Sequence, residues 1–156
     1  MSVCAWRIVK RKYAKTAFLG EGARIFGGRW NSPGFPVVYT AESQSLATLE
    51  ILVHLESADL LGRYVVAKVE IDESLVTELD VSHLPKSWRT DPAPAKNRAI
   101  GDNWLKSGAS AVLQAPSAII PTERTFLLNP RHQDFSRLRF GIFSAFRFDS
   151  RFTKHH

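Results

Sequence analysis

Residues 37–55 read VVYTAESQSLATLEILVHL, a strand running directly into a helix. Val37 to Thr40 is β-branched and aromatic, which suits a pleated, half-buried strand. Ser43 then offers a side-chain oxygen to the free amides of a first helical turn, as an N-cap does. From Ser43 to about Leu55 the sequence predicts a helix that is apolar nearly all round, through Leu46, Ala47, Leu49, Ile51, Leu52, Val53 and Leu55. Such a helix is expected to be buried. The next segment, YVVAKVEI at 64–71, alternates with period two. It places Val65, Ala67, Val69 and Ile71 on one face of a strand and Lys68 and Glu70 on the other.

Upstream, CAWRIV (4–9) predicts a short strand, and the glycine-rich LGEGARIFGGRWNSPG (19–34) predicts a loop with little regular structure. Asn31 to Gly34 is turn chemistry. Downstream, residues 80–94 read as a long loop punctuated by Pro85, Pro92 and Pro94. A helix is expected from Ala95 to Lys106, stopped by Gly108. Strands are expected at Ser110–Leu113 and Thr125–Leu128 around the loop APSAIIP, followed by a turn at Asn129-Pro130 and a final strand from Phe140 to Phe148. Many short strands with two or three helices, and no βαβ regularity, give an α+β fold. At 156 residues the chain has the length of one ordinary domain, read as 1–156.

Composition bounds the function. Hydrophobic residues make up 44% and charged residues 23%, both globular values. Cys4 is the single cysteine, so no internal disulfide and no zinc-type cysteine–histidine cluster is expected. No apolar run reaches the ~18 residues of a membrane span, and Arg7, Lys10, Arg11 and Lys12 are not followed by a signal-peptide core. A reducing, cytoplasmic compartment is the expectation. His155 and His156 are given no function. The net charge of +6 attracts polyanions of any kind. The basic residues are scattered, however, and no helix-turn-helix, zinc module or RNP-type motif stands out, so direct nucleic-acid binding is not expected.

Glu50 is the residue least comfortable in its surroundings. Its helical neighbours are Leu46, Ala47, Val53 and His54, none of them Lys or Arg. A carboxylate on an apolar helix either sits on a solvated edge beside His54 or faces a polar cleft and uses its charge there. Arg29 is the natural counterpart. It follows Gly27 and Gly28, which permit close ligand approach, and arginine is a planar fork for phosphate or carboxylate. Alone it reads equally as a surface arginine. GEGARIFGG lacks the third glycine, preceding strand and following helix of a dinucleotide fingerprint. Tyr39 ends its strand, where a ring can stack and a hydroxyl can bond, or simply fill an amphipathic position. Ser117 has no nucleophile elbow around it and reads as a hydrogen-bonding group.

Two longer stretches carry a family resemblance. GARIFGGRWNSPGFPVVYTAESQSLATLEIL (22–52) and APSAIIPTERTFLLNPRHQDF (115–135) resemble the two halves of the RES domain, named for an arginine, a glutamate and a serine. Arg29, Glu50 and Ser117 occupy those places, Tyr39 matches the family's tyrosine, and Arg7, in AWRI, an early arginine. One departure is Glu123-Arg124-Thr125, where the family often reads Glu-x-Asn. The resemblance implies the toxin of a RES–Xre toxin–antitoxin pair, with the fold of ADP-ribosyltransferase toxins: a split mixed β-sheet with flanking helices around an NAD⁺ cleft. It implies cleavage of the nicotinamide–ribose bond with phosphate or water as acceptor, or transfer of ADP-ribose to a protein. Arg29, Tyr39, Glu50 and Ser117 would be catalytic. Arg7, Arg29, Tyr39 and Ser117 would bind substrate, with no metal required. An Xre-like helix-turn-helix antitoxin is the implied partner, and a homodimer is expected by analogy.

Three readings follow: an NAD⁺ phosphorylase or glycohydrolase, a protein ADP-ribosyltransferase, or a non-catalytic binding domain that leaves Glu50 without a task. A small acceptor is favoured. No appended module for a protein target is evident, and Arg7, Arg24 and Arg29 near the glycine-rich segment are placed to hold inorganic phosphate beside a pyrophosphate.

Overall fold

Two long strands meet over their whole length. β1 (Ser2–Lys10) lies antiparallel to β3 (Tyr64–Asp72), in register from Ser2 opposite Asp72 to Lys10 opposite Tyr64. A computed structural model describes residues 1–153 of the chain; the terminal histidines lie outside the described residues. The predicted alternation of β3 holds, with Val65, Ala67, Val69 and Ile71 buried and Lys68 exposed on the opposite face. Tyr64 and Val66 are also buried, because a second apolar layer covers the start of the strand.

The remaining strands complete one mixed sheet with these two. β2 (Val38–Ala41) pairs antiparallel with β6 (Arg124–Leu128), and β6 with β5 (Val112–Pro116). β4 (Val76–Glu78), which the sequence reading omits, is a three-residue edge parallel to β5. The halves join where β1 meets β2, and the paired position there is Trp6 opposite Ala41. Beyond that pair the strands diverge. The result is the expected α+β architecture with a split mixed sheet.

Three expectations need correction. The glycine-rich stretch contains a short helix, α1 (Glu21–Phe26), between Gly20 and Gly27. Both glycines adopt positive φ, near 74° and 73°, so they punctuate the helix rather than dissolve it. The final strand is broken into β7 (Arg139–Phe140) and β8 (Ser144–Phe146), both on β3. The break falls where the Gly141 amide bonds the Lys68 carbonyl and Ile142 turns out to 94% exposure. The helix of the opening stretch, α2 (Gln44–Leu52), is capped by Ser43 as predicted, whose Oγ accepts from the Leu46 amide at 3.0 Å. It is not buried all round, since Leu46 and Ala47 alone of its residues are buried and Val53 beyond it is 58% exposed. One side of α2 packs on β1 and β2; another borders an open cleft.

α3 (Ala95–Ser107) ends at Gly108 in the left-handed conformation, as the sequence predicts. It presses on the segment before β2. A Cβ placed on Gly101 would lie 1.6 Å from the Trp30 carbonyl oxygen, and the Asp102 carboxylate accepts from the Ser32 amide at 2.8 Å. This contact fixes the approach of residues 27–33 to the split.

Candidate active site

The split in the sheet opens a cleft of about 940 Å³. Arg7, Arg29, Tyr39 and Glu50 all line it, drawn from β1, the segment after α1, β2 and α2. Four of the five residues singled out in the sequence thus share one cavity, and the fifth, Ser117, reaches it through a hydrogen bond.

Glu50 projects from the cleft side of α2. Burial pushes its carboxyl above the ordinary carboxylate range, opposed by a hydrogen bond from Ser117 and then by the charges of His54 and Arg29. Ser117 sits just after β5 and is 1% exposed. Its Oγ accepts from the amides of Ile119 and Ile120 at 3.1 and 3.2 Å and donates to Glu50 Oε1 at 3.2 Å. A hydroxyl has one proton, and here it goes to the carboxylate. The backbone of Glu123 closes the same turn, accepting from the Ser117 amide and donating to the Ile120 carbonyl. The Thr125 departure therefore leaves this turn intact. Thr125 itself lies on β6 between Ala41 and Ala115 and borders the cleft.

Arg29 is not an ion-pair partner of Glu50 among the described residues. Its Nη1 donates instead to the carbonyls of Trp88 and Thr90, both at 2.9 Å. The loop of residues 80–94 thus holds one corner of the guanidinium and leaves Nε and Nη2 as donors for an anion.

Tyr39 is more constrained than its sequence position indicates. Its hydroxyl donates to Asn31 Oδ1 at 2.6 Å and accepts from the Trp30 amide at 3.1 Å. Burial pushes the phenol up, well above its ordinary value. Asn31 is fully buried and donates through Nδ2 to the carbonyls of Ala23, Ser32 and Phe35. It is the keystone of the turn, and sequence reasoning saw in it only turn chemistry. A Cβ on Gly28 would lie 2.6 Å from Tyr39 Oη, so glycine there is required by close packing.

Arg7 spans the split. Nε donates to the Ala17 carbonyl at 2.7 Å and Nη1 to the Tyr39 carbonyl at 3.0 Å, across the gap where β1 and β2 no longer pair. Burial lowers its pKa to about 10. Arg24 is absent from the cleft lining and pairs with Glu21 at 2.7 Å on α1, so the sequence-based placement of Arg24 beside the substrate is corrected. The cleft gains two cations that the sequence did not single out, Arg89 and Arg98.

The RES domain profile matches residues 5–149. The chain belongs to the RES domain family. A protein of Yersinia enterocolitica named Toxin Res is 42% identical over 147 residues, covering 94% of this chain and 97% of the relative. A Sphingobium protein named Prs ADP-ribosylating toxin is 36% identical over 160 residues, covering 99% of each. A Mycobacterium bovis protein named NAD(+) phosphorylase MbcT is 35% identical over 101 residues, or 63% of this chain and 53% of that one. In three dimensions the RES domain is similar to a chain in the crystal structure of the Mycobacterium tuberculosis MbcT–MbcA toxin–antitoxin complex. The TM-score is 0.77 with 21% identity, over 94% of this chain and 85% of the other. That likeness establishes the fold.

Proposed function

We propose that this RES domain, read over residues 1–156, consumes NAD⁺ in the split-sheet cleft as the toxin of a bacterial toxin–antitoxin pair. One observation carries the reading: a partly buried carboxylate, Glu50, is held by Ser117 in a cleft that also presents Arg29. Among the described residues the cleft carries four arginines, Arg7, Arg29, Arg89 and Arg98, against the carboxylates of Glu50 and Asp91. That balance suits a substrate with two linked phosphates.

In NAD⁺ the nicotinamide nitrogen is positively charged. As the C1″–N bond breaks, its electron pair moves to that nitrogen, nicotinamide leaves neutral, and positive charge builds on the ribose. Ionised Glu50, fixed by Ser117 and poorly solvated, stabilises that charge without reorganising. The free donors of Arg29 bind the pyrophosphate. Tyr39, its hydroxyl already engaged on both sides, offers its ring to the substrate. Arg7 supports Tyr39 from behind and presents its remaining Nη2 to the cleft. Ser117 acts through Glu50. An anionic phosphate oxygen then attacks C1″ to give ADP-ribose-1″-phosphate, or a water oxygen attacks and releases its proton to solvent to give ADP-ribose.

A second reading has its own support. The relative named an ADP-ribosylating toxin matches nearly the whole chain, whereas the NAD⁺ phosphorylase matches about two thirds of it. The same cleft serves transfer to a protein side chain, since the acceptor alone differs. An Xre-like helix-turn-helix antitoxin that blocks the cleft, a homodimeric state and a cytoplasmic location complete the proposal. No helix among the described residues is long and apolar enough to cross a membrane. The test is the product mixture from purified protein and NAD⁺, with and without phosphate. Normal turnover by a folded Glu50→Ala protein would sink the mechanism.

A further inference from the structure

The loop between β4 and α3 does more than border the cleft. The carbonyls of Trp88 and Thr90 both accept from Arg29 Nη1 at 2.9 Å. The side chain of the residue between them makes contacts of its own. Arg89 Nε donates to the Ala118 carbonyl at 2.8 Å and Nη2 to the Ile119 carbonyl at 3.3 Å. Ala118 and Ile119 belong to the turn whose amides grip Ser117 Oγ, and Ser117 in turn donates to Glu50.

A single tripeptide therefore touches both halves of the proposed site. Its backbone holds Arg29, and its central side chain holds the turn that holds Glu50. α3 anchors the same loop at two further points. Asn97 Nδ2 donates to the Trp88 carbonyl at 2.8 Å, and Arg98 Nη1 to the Ala93 carbonyl at 2.6 Å. Asn97 is fully buried, so the Trp88 carbonyl is fixed from inside the protein as well as by Arg29.

We propose that Arg89 is a positioning residue, a cross-brace that sets Arg29 and Glu50 relative to each other across the cleft. The inference rests on the reading of Arg29 and Glu50 given above and adds to it a residue with no counterpart in the arginine, glutamate and serine that name the family. Arginine suits the task because its planar fork reaches two successive carbonyls at once, which a lysine ammonium cannot reproduce with the same geometry. Displacements of about 1 Å in a positioned site lower rates on the order of 10²-fold. Without the Arg89 side chain, Arg29 keeps the Trp88 and Thr90 carbonyls and its hold on the substrate, while the turn behind Ser117 and Glu50 is released, so the loss falls on kcat.

The test compares Arg89→Ala and Arg89→Lys with the unsubstituted chain in NAD⁺ turnover and in amide hydrogen exchange. Both variants are expected to lose kcat roughly 10- to 100-fold with KM for NAD⁺ little changed. The acid limb of kcat is expected to move to higher pH, as Glu50 loses the ordered Ser117 donor. In a Ser117→Ala background, Arg89→Ala should produce no further shift of that limb, because the brace acts through Ser117. A rise in KM with kcat preserved would overturn the proposal and make Arg89 a direct substrate contact. Exchange supplies a readout free of turnover: the Ile119 and Ile120 amides should exchange faster in Arg89→Ala. Unchanged exchange there overturns the brace whatever the activity. Faster exchange in a protein that consumes no NAD⁺ would support the brace and count against the proposed chemistry instead.

Discussion

Ser117 Oγ lies 3.2 Å from Glu50 Oε1 while accepting from the amides of Ile119 and Ile120. With both acceptor positions taken, the hydroxyl proton is directed at the carboxylate. In the proposed mechanism this serine orients a charge: the two amides occupy the acceptor positions of Oγ, so no lone pair is left for nucleophilic attack. The link joins residues 67 positions apart in the chain.

Ser117→Ala should accordingly lower kcat on the order of 10²-fold. It should also destabilise the fold by about 1–3 kcal/mol, because two turn amides lose their acceptor. The bond from Ser117 opposes the upward push of burial on Glu50. Removing it raises the carboxyl further, so the pH below which activity fails moves up. A pH–rate profile checks this, and an acid limb that stays in place would show that the bond does not bear on Glu50.

Glu50→Gln should abolish turnover and leave a folded, more stable protein at neutral pH. In the folded state burial holds the carboxyl above its ordinary value. The folded chain thus binds that proton more tightly than the unfolded chain. Ionised Glu50 lowers stability at neutral pH, and the penalty is relieved as pH falls through the raised folded value. The gain from Glu50→Gln should therefore be present at pH 7 and vanish in acid, measured as Tm against pH. A lower Tm at pH 7 would mark Glu50 as a structural ion rather than one held for catalysis.

Tyr39→Phe removes a hydroxyl that serves both Asn31 Oδ1 and the Trp30 amide. Leaving those groups unpaired costs about 1–3 kcal/mol. Activity should fall less than in Tyr39→Ala, which loses the ring as well. The stability loss should not add to that of Asn31→Ala, because the two residues share the bond. Additive losses in a double-mutant cycle under denaturant would separate them.

Much of this site could be read in the sequence because local chemistry carries it. Ser43 before an apolar run defines the start of α2, and a carboxylate at Glu50 with no helical cation marks the odd residue of that helix. The β3 alternation is a period-two pattern that needs no partner to be recognised. What escaped has a common cause in long-range contact. Arg29 reads in sequence as the cation for a ligand, yet its fixed contacts are carbonyls 59 and 61 residues away. Arg89 and Arg98 carry no local signal, because what matters is the loop they fasten. α1 is hidden in the sequence because the glycines at both of its ends look like loop until they are seen as its punctuation. Gly141 broke the last strand for the opposite reason: its period continued in sequence while the ladder with β3 did not.

Gly101→Ala tests how closely α3 sets the site. The added Cβ would sit 1.6 Å from the Trp30 carbonyl oxygen, a backbone atom that cannot rotate away. Overpacking of this kind costs roughly 1–3 kcal/mol or more. The displaced Trp30 segment carries Arg29 beside it, so turnover should fall as well as Tm. Full activity at unchanged Tm would show that α3 stands further from the segment than the structure places it.

The last prediction concerns the acceptor. The arginines lining the cleft are Arg7, Arg29, Arg89 and Arg98. Arg7, Arg29 and Arg89 each have two N–H donors engaged by carbonyls, and Arg98 one. Arg98 therefore keeps the most donors free, and Arg29 keeps the whole Nε–Nη2 edge. If Arg29 takes the pyrophosphate, Arg98 is the cation left for a second anion. A phosphate held there would attack the ribose as a positioned reactant, for which effective molarities reach the order of 10⁵–10⁸ M. Phosphate should then accelerate NAD⁺ loss and yield ADP-ribose-1″-phosphate. Charge-assisted bonds contribute about 1.5–3 kcal/mol, so Arg98→Ala should raise KM for phosphate at least tenfold while sparing any hydrolysis seen without it. Phosphate-independent loss giving free ADP-ribose would leave water as the acceptor. ADP-ribose accumulating on a specific host protein, with negligible free product, would overturn the small-acceptor claim and make the cleft a transferase.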